Sequence, residues 1–310
     1  MSADPAVLVG TDGSEGAQAA VRWAAVEAVR RDTDLIILHA HDESWARLPR
    51  DRGRQARFAP AAVIDLTGNE AEAVVSAARA AAQAIAPRLA VHTEVVAGDP
   101  VQALLSRAPE VGVIVVGHRG RDGFTSLMLG SVSQRVATHS ACPTVVVRGR
   151  DMAIGGPVVV GVDGSADSDH VLEAAFTAAA ARRAPLLAIL AYPMLLPAVG
   201  FGAPSPIPVE LEQLQSDAEQ ELEQSLAPWR AKFPEVTVQT RVTGGGAARQ
   251  LVGASHSAQL VVVGSHGSGV VTGVLLGSVS LQVLHHADCP VLVARAVTSD
   301  RTASRPPLST

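Results

Sequence analysis

Lysine is almost missing from this 310-residue chain: Lys232 is the one example, and every other basic side chain is an arginine. A P-loop is therefore excluded, because no lysine follows a glycine-rich turn to reach the terminal phosphates of a nucleotide. A Schiff-base mechanism would have to use Lys232, which sits in the polar context Arg230-Ala231-Lys232. Cysteine is equally scarce: Cys142 and Cys289 are too few for a disulfide framework or a zinc site. Aromatic residues make up 3%, too few for a platform that stacks single-stranded nucleic acid. An excess of positive charge is absent as well. Lys and Arg number 25 against 30 Asp and Glu, a formal net charge of −5, so neither nucleic acid nor an anionic membrane is an expected partner. No apolar run reaches the roughly 18 residues of a membrane span. The opening Met1-Ser2-Ala3-Asp4-Pro5 has no basic or apolar region of the signal-peptide kind. The expected compartment is a reducing cytoplasm.

What is present is a chain written twice. Val9-Gly10-Thr11-Asp12-Gly13-Ser14 recurs as Val160-Gly161-Val162-Asp163-Gly164-Ser165. Val115-Val116-Gly117-His118-Arg119-Gly120 recurs as Val262-Val263-Gly264-Ser265-His266-Gly267. Leu129-Gly130-Ser131-Val132-Ser133 recurs as Leu276-Gly277-Ser278-Val279-Ser280, and Cys142-Pro143 as Cys289-Pro290. The offset of about 150 residues suits a whole domain rather than a solenoid unit. Two domains are expected, over residues 1–148 and 157–296, with a glycine-containing linker at 149–156 and a disordered Ser/Thr/Arg/Pro tail at 297–310.

Within each half the pattern alternates strand and helix. The first half predicts strands near residues 6–10, 35–40, 91–96, 111–117 and 144–148. Its helices are expected after Ser14 and over 70–88, 101–107 and 130–139. The second half predicts strands at 158–161, 186–191, 236–242, 260–264 and 291–295, with helices at 167–183, 209–232, 247–256 and 277–286. Strands that are apolar on both faces and separated by helices imply a parallel sheet covered on both sides. The expected fold class is α/β: two tandem doubly wound, Rossmann-like, five-stranded domains with strand order 3-2-1-4-5. Ligands of such sheets sit beyond the carboxyl ends of the strands, at the switch point between the first and fourth. Asp12 and Asp163 end the first strands, and Gly117 and Gly264 end the fourth.

After each fourth strand comes a glycine constellation. Gly117-x2-Gly120 precedes nine residues and then Gly130-Ser131; Gly264-x2-Gly267 precedes nine residues and then Gly277-Ser278. Glycine lets backbone N–H groups approach an anion, and each Gly-Ser pair opens a helix whose first N–H groups are unpaired and partially positive. That is a phosphate cradle built without lysine.

Both halves resemble the universal stress protein family in its tandem, ATP-binding form. The resemblance rests on Gly-x-Asp-Gly-Ser after the first strand, the Gly-x2-Gly-x9-Gly-Ser loop, and Cys-Pro before the last strand, over residues 6–148 and 157–295. It implies that Asp12 and Asp163 lie near ribose and phosphates, that Gly117 and Gly264 contact the ribose, and that the backbone at Ala40 and Ala191 meets the adenine edge. Gly120, Gly130, Ser131 and Val132, and likewise Gly267, Gly277, Ser278 and Val279, would hold phosphates. Gly10, Gly161, Ser133 and Ser280 complete the candidate set. The expected cofactors are ATP and Mg²⁺, the metal lying between an aspartate and the phosphates. The resemblance also implies that the two last strands pair with each other in a compact pseudo-two-fold unit, itself a homodimer. The function implied is a stress or growth regulator acting by nucleotide occupancy, in contact with an unidentified protein partner. The alternative is a slow Mg-dependent ATPase or nucleotide hydrolase using Asp12 or Asp163.

Several residues carry competing readings. Asp12 and Asp163 also suit Asx turns that cap the next helix. Arg119 and His266 lie in the loops, either against phosphate or in solvent. His39 and His41 alternate on a strand, point to opposite faces, and make a poor metal pair. Cys142 and Cys289 read as small buried residues. The basic stretch 47–57 and its Pro- and Gly-rich counterpart 193–208 follow the second strands, so the two crevices would have different lids. Gly98-Asp99-Pro100 in the first half becomes Gly244-Gly245-Gly246 in the second, which puts equal affinity of the two sites in doubt.

Overall fold

The computed structural model describes residues 5–41, 60–120, 129–152, 155–165, 168–192, 208–265 and 276–295, with side chains of the two long helices described from residues 69 and 212. The stretches 47–57 and 193–207, His266, Gly267 and the tail lie outside the described residues. The first half contains β1 (Val7–Gly10), α1 (Glu15–Arg31), β2 (Leu35–His41), α2 (Pro60–Ile85), β3 (Val91–Ala97), α3 (Pro100–Arg107), β4 (Val113–Gly117), α4 (Ser131–His139) and β5 (Thr144–Val147). The second repeats it as β6 (Val158–Val162), α5 (Ser168–Arg182), β7 (Leu186–Tyr192), α6 (Pro208–Lys232), β8 (Val238–Gly244), α7 (Ala247–Ser255), β9 (Leu260–Gly264), α8 (Ser278–His286) and β10 (Val291–Ala294). α2 starts at Pro60, ahead of the expected 70. A proline is tolerated there because the first N–H of a helix has no intrahelical acceptor.

All strands join in one ten-stranded sheet of order β3-β2-β1-β4-β5-β10-β9-β6-β7-β8. Each half has the order 3-2-1-4-5 and is parallel throughout. The halves meet where β5 and β10 pair antiparallel, Val146 opposite Val291 and Thr144 opposite Val293. Each edge strand thus satisfies the backbone groups of the other.

Because side chains alternate along a strand, the sheet feeds two apolar layers. Val7 and Val9 pack with α1 and α2, and Leu8, Ile114 and Val116 pack with α3 and α4. Both layers run without interruption across the two halves. Cys142 and Cys289 are buried free thiols in the second layer, as expected. Burial pushes both thiols up, Cys289 to about 12.

The junction carries a buried charge cluster and a reciprocal clasp. Glu27 of α1 receives Arg182 of α5 at 2.6 Å and Arg31 at 2.8 Å, and Arg182 also stands over the Trp23 ring. On the opposite face, Arg148 after β5 donates to the Leu284 carbonyl of α8, while Arg295 after β10 donates to the Ala137 and Thr138 carbonyls of α4. Each arginine therefore reaches the last turn of the other half's last helix, where unpaired carbonyls carry partial negative charge. The start of the linker is packed: Gly149 has φ +56° and a Cβ there would collide with the Asp288 backbone.

Candidate nucleotide crevices

The first crevice is assembled from the carboxyl ends of β1 and β4. Its floor begins with Thr11, whose carbonyl accepts from His39 Nδ1 at 2.7 Å. That bond joins the end of β2 to the turn after β1 and accounts for a buried histidine without any metal. Asp12 makes an Asx turn, its Oδ1 accepting from the Ser14 N–H at 2.9 Å. Ser14 is the N-cap of α1, accepting from the Ala17 N–H at 3.3 Å, and its own hydroxyl donates to the Arg119 carbonyl at 3.4 Å. The loops after β1 and β4 are thereby tied together. The second carboxylate oxygen of Asp12 faces Gly120: a Cβ on Gly120 would stand 2.5 Å from Oδ2. A cleft of about 230 Å³ opens beside Thr11 and Gly13, bounded by Gln18 of α1 and by Glu70 and Val74 of α2.

The loop after β4 returns at Leu129 and Gly130. Gly130 is the N-cap of α4, has no side chain to cap with, and donates its own N–H to the His118 carbonyl at 2.8 Å. Its φ of −66° is open to any residue, so the turn does not demand glycine there. The consequence is a helix start whose N–H groups receive no side-chain cap. Ser131, the first helical residue, is exposed. By contrast α1 and α3 are capped by Ser14 and Asp99. Ser133 turns inward and donates to the Gly117 carbonyl at 2.5 Å, bracing α4 against the end of β4.

The second crevice follows the same plan. Gly277 is the N-cap of α8 without a side-chain cap, Gly277 N–H donates to Ser265 at 2.8 Å, and Ser280 donates to Gly264 at 2.6 Å. The aspartate differs. Asp163 Oδ1 accepts from the Ser165 N–H, the Ser165 hydroxyl and the Ser168 hydroxyl, at 3.1, 2.7 and 2.9 Å. The carboxylate of Glu221 on α6 also reaches this turn, close enough that a Cβ on Gly164 could not coexist with it. In the register that aligns β3 with β8, the matching residue of the first half is Val74. The turn before α7 differs too. Gly245 and Gly246 have φ of +68° and +57°, and α7 lacks the aspartate cap that α3 receives from Asp99.

Ala40 and Ala191 lie near the carboxyl ends of β2 and β7, half-buried and paired with Val96 and Thr243. Gly10 and Gly161 face the other way: a Cβ on either would press on Leu104 of α3 or Leu251 of α7. Gly117 serves packing as well. A Cβ there would lie 2.5 Å from the Gly16 carbonyl oxygen and 3.0 Å from the Ala17 nitrogen, so the first turn of α1 rests directly on this glycine. Alanine at Gly117 would therefore disturb the packing of α1 on β4 as well as the crevice. Sequence reasoning also missed the residues that each half lends to the other. Arg148, Arg295 and His285 become visible only once the two last helices are known to flank one junction.

Two further histidines border the first crevice. His118 is half-buried, and burial together with Arg148 and Arg119 lowers its pKa. His285 of α8 accepts from the Leu129 N–H through Nδ1 at 3.4 Å.

A model of the Universal stress protein family matches residues 5–148 and again 156–295. Universal stress protein Rv2005c of Mycobacterium tuberculosis is 35% identical over 311 residues, covering 93% of this chain and 96% of its own. Universal stress protein Rv2623 of the same organism is 35% identical over 305 residues with the same coverage. The crystal structure of a universal stress protein from Archaeoglobus fulgidus superposes with a TM-score of 0.65 at 21% identity, over 94% of this chain and 96% of that one, a likeness of fold alone. The chain belongs to the universal stress protein family and carries two of its domains.

Proposed function

We propose that this two-domain universal stress protein binds ATP with Mg²⁺, up to one nucleotide in each half, and acts through occupancy of those sites. One observation carries the reading: in both halves the helix facing the switch-point crevice begins at an uncapped glycine, Gly130 or Gly277. Free N–H groups at a helix start favour an anion, and a phosphate chain supplies several. In the first half Gly120, Gly130, Ser131 and Val132 would meet phosphates, with Arg119 adding positive charge. Asp12 would hold Mg²⁺ brought by the nucleotide, and the backbone near Ala40 would meet the base. In the second half Gly267, Gly277, Ser278 and Val279 take the same parts, with Asp163 at the metal and Ala191 near the base, and Gly117 and Gly264 lie toward the ribose. Among the described residues no three His, Cys, Asp or Glu side chains gather as a resident metal site. The metal would therefore arrive with the phosphates, which supply most of its ligands.

Calorimetric titration with MgATP tests this, combined with mass analysis of any nucleotide that copurifies. Saturation at one or two nucleotides per chain is expected, weakened when Mg²⁺ is withheld. No heat in metal-containing buffer overturns the proposal. Multiple-turnover hydrolysis abolished by Asp12→Asn and Asp163→Asn would replace occupancy with slow ATPase action.

A further inference from the structure

The junction between the halves lies beside the first crevice, and one side chain crosses it to touch the loop. Leu129 is buried, and its N–H points at Nδ1 of His285 on the last turn of α8. The next residue is Gly130, the uncapped start of α4. An imidazole that accepts at Nδ1 must be neutral and carry its proton on Nε2. α8 is also the helix whose own start, Gly277-Ser278, opens the second crevice. Among the described residues the reciprocal bond does not occur. The α4 residue that matches His285 is Thr138, whose hydroxyl donates to the Gln134 carbonyl within its own helix and does not titrate in this range.

We propose that His285 is a positioning residue for the first crevice, lent by the second half: its neutral ring holds the Leu129 amide that leads into Gly130-Ser131, and protonation of the ring releases that amide. The inference rests on the reading of Gly130-Ser131 as a phosphate site. A doubly protonated imidazole has no lone pair at Nδ1, so the Leu129 N–H would then face another N–H. The charged groups that face the ring among the described residues are Arg148, from the end of β5, and His286 on its own helix. Arg148 in turn is approached by Arg119 and Asp288. Burial, then His286, then Arg148, lower the pKa of His285. The ring is therefore neutral near pH 7, and the latch opens only as the medium becomes acidic. Among the described residues no histidine occupies the matching place beside the second crevice, where α4 offers Thr138.

The test follows the Leu129, Gly130 and Gly277 amides by NMR from pH 7.5 to 5, first without nucleotide and then through a MgATP titration. Gly130 and Gly277 report the two sites separately within one intact chain. In the nucleotide-free protein the Leu129 amide is expected to shift with the same midpoint as the His285 ring. ATP affinity at the first site should weaken by about three- to tenfold across that midpoint, the worth of one hydrogen bond, while the second site shows no step at the His285 midpoint. His285→Leu should bring the weakened affinity to pH 7.5. His285→Asn, whose Oδ1 accepts where Nδ1 did, should restore it and remove the step at the His285 midpoint, leaving only what His118 contributes. A Leu129 amide that ignores the His285 midpoint, or a leucine variant that binds as wild type does, overturns the latch. An amide that follows His285 while first-site affinity does not overturns the positioning role. An amide that follows His285 in a protein that takes up no ATP at either site supports the latch and refutes the nucleotide reading instead.

Discussion

Glu27→Gln removes one charge from the cluster that joins α1 to α5, and its cost follows from the geometry. The Glu27 carboxylate lies 2.6 Å from Arg182, 2.8 Å from Arg31 and 4.0 Å from Arg30, with 3% of its side chain exposed and 1% of that of Arg182. Glutamine keeps the volume but leaves the Arg182 guanidinium buried without a counter-charge. Loss of one partner of a buried pair costs about 3–5 kcal/mol. Burial alone would raise the Glu27 pKa, but Arg182, Arg31 and Arg30 outweigh it and hold the pKa below its usual 4.5. A depressed carboxylate pKa contributes stability that is present in full above the unfolded value and is lost as pH falls through the folded value. Urea unfolding of wild type and Glu27→Gln at pH 7 should therefore differ by about 3–5 kcal/mol, and the gap should close as the pH drops below the usual carboxylate range. Glu27→Leu combined with Arg182→Met, which removes both charges into an apolar layer, should recover most of the loss. A pH 7 difference under about 1 kcal/mol, or a double variant no more stable than the single one, refutes this account of the junction.

Gly117→Ala should lower thermal stability rather than act only on binding, because the added methyl meets the Gly16 carbonyl oxygen at 2.5 Å and backbone cannot swing aside. Overpacking of this kind costs about 1–3 kcal/mol, and an unchanged melting temperature would count against it. MgATP should bind the first crevice more tightly than the second. Asp99 caps α3, whereas Gly245 and Gly246 leave α7 without a side-chain cap behind a looser turn that costs more to order. Separate titrations of the two sites check this, and equal affinities would remove the argument. Cys142 and Cys289 should resist a thiol reagent at pH 8 until the protein is unfolded, since burial raises both pKa values. Rapid labelling of the native chain would contradict their placement in the core.

Much of this protein is legible along the chain because short-range rules govern it. The doubling, the two sets of five strands, and the approach of Asp12 to Gly120 at the switch point all follow from apolar runs, glycine spacing and the handedness of crossovers. The uncapped starts of α4 and α8 are equally readable, since a Gly-Ser pair at a helix start has no capping side chain at the glycine. What the chain could not disclose depends on residues far apart in sequence that only the junction brings together. That the first turn of α1 rests on Gly117 was set by the Gly16 carbonyl lying against it. The roles of Glu27, Arg148 and Arg295 appeared once β5 and β10 paired and brought α1 beside α5 and each arginine to the other half's last helix. His285 stands beside Leu129 only because that pairing brings α8 to the loop before α4. Local propensity and periodicity determined the elements and where each crevice would open. The antiparallel seam, a single long-range contact between two short apolar strands, decided which side chains of one half would serve the other.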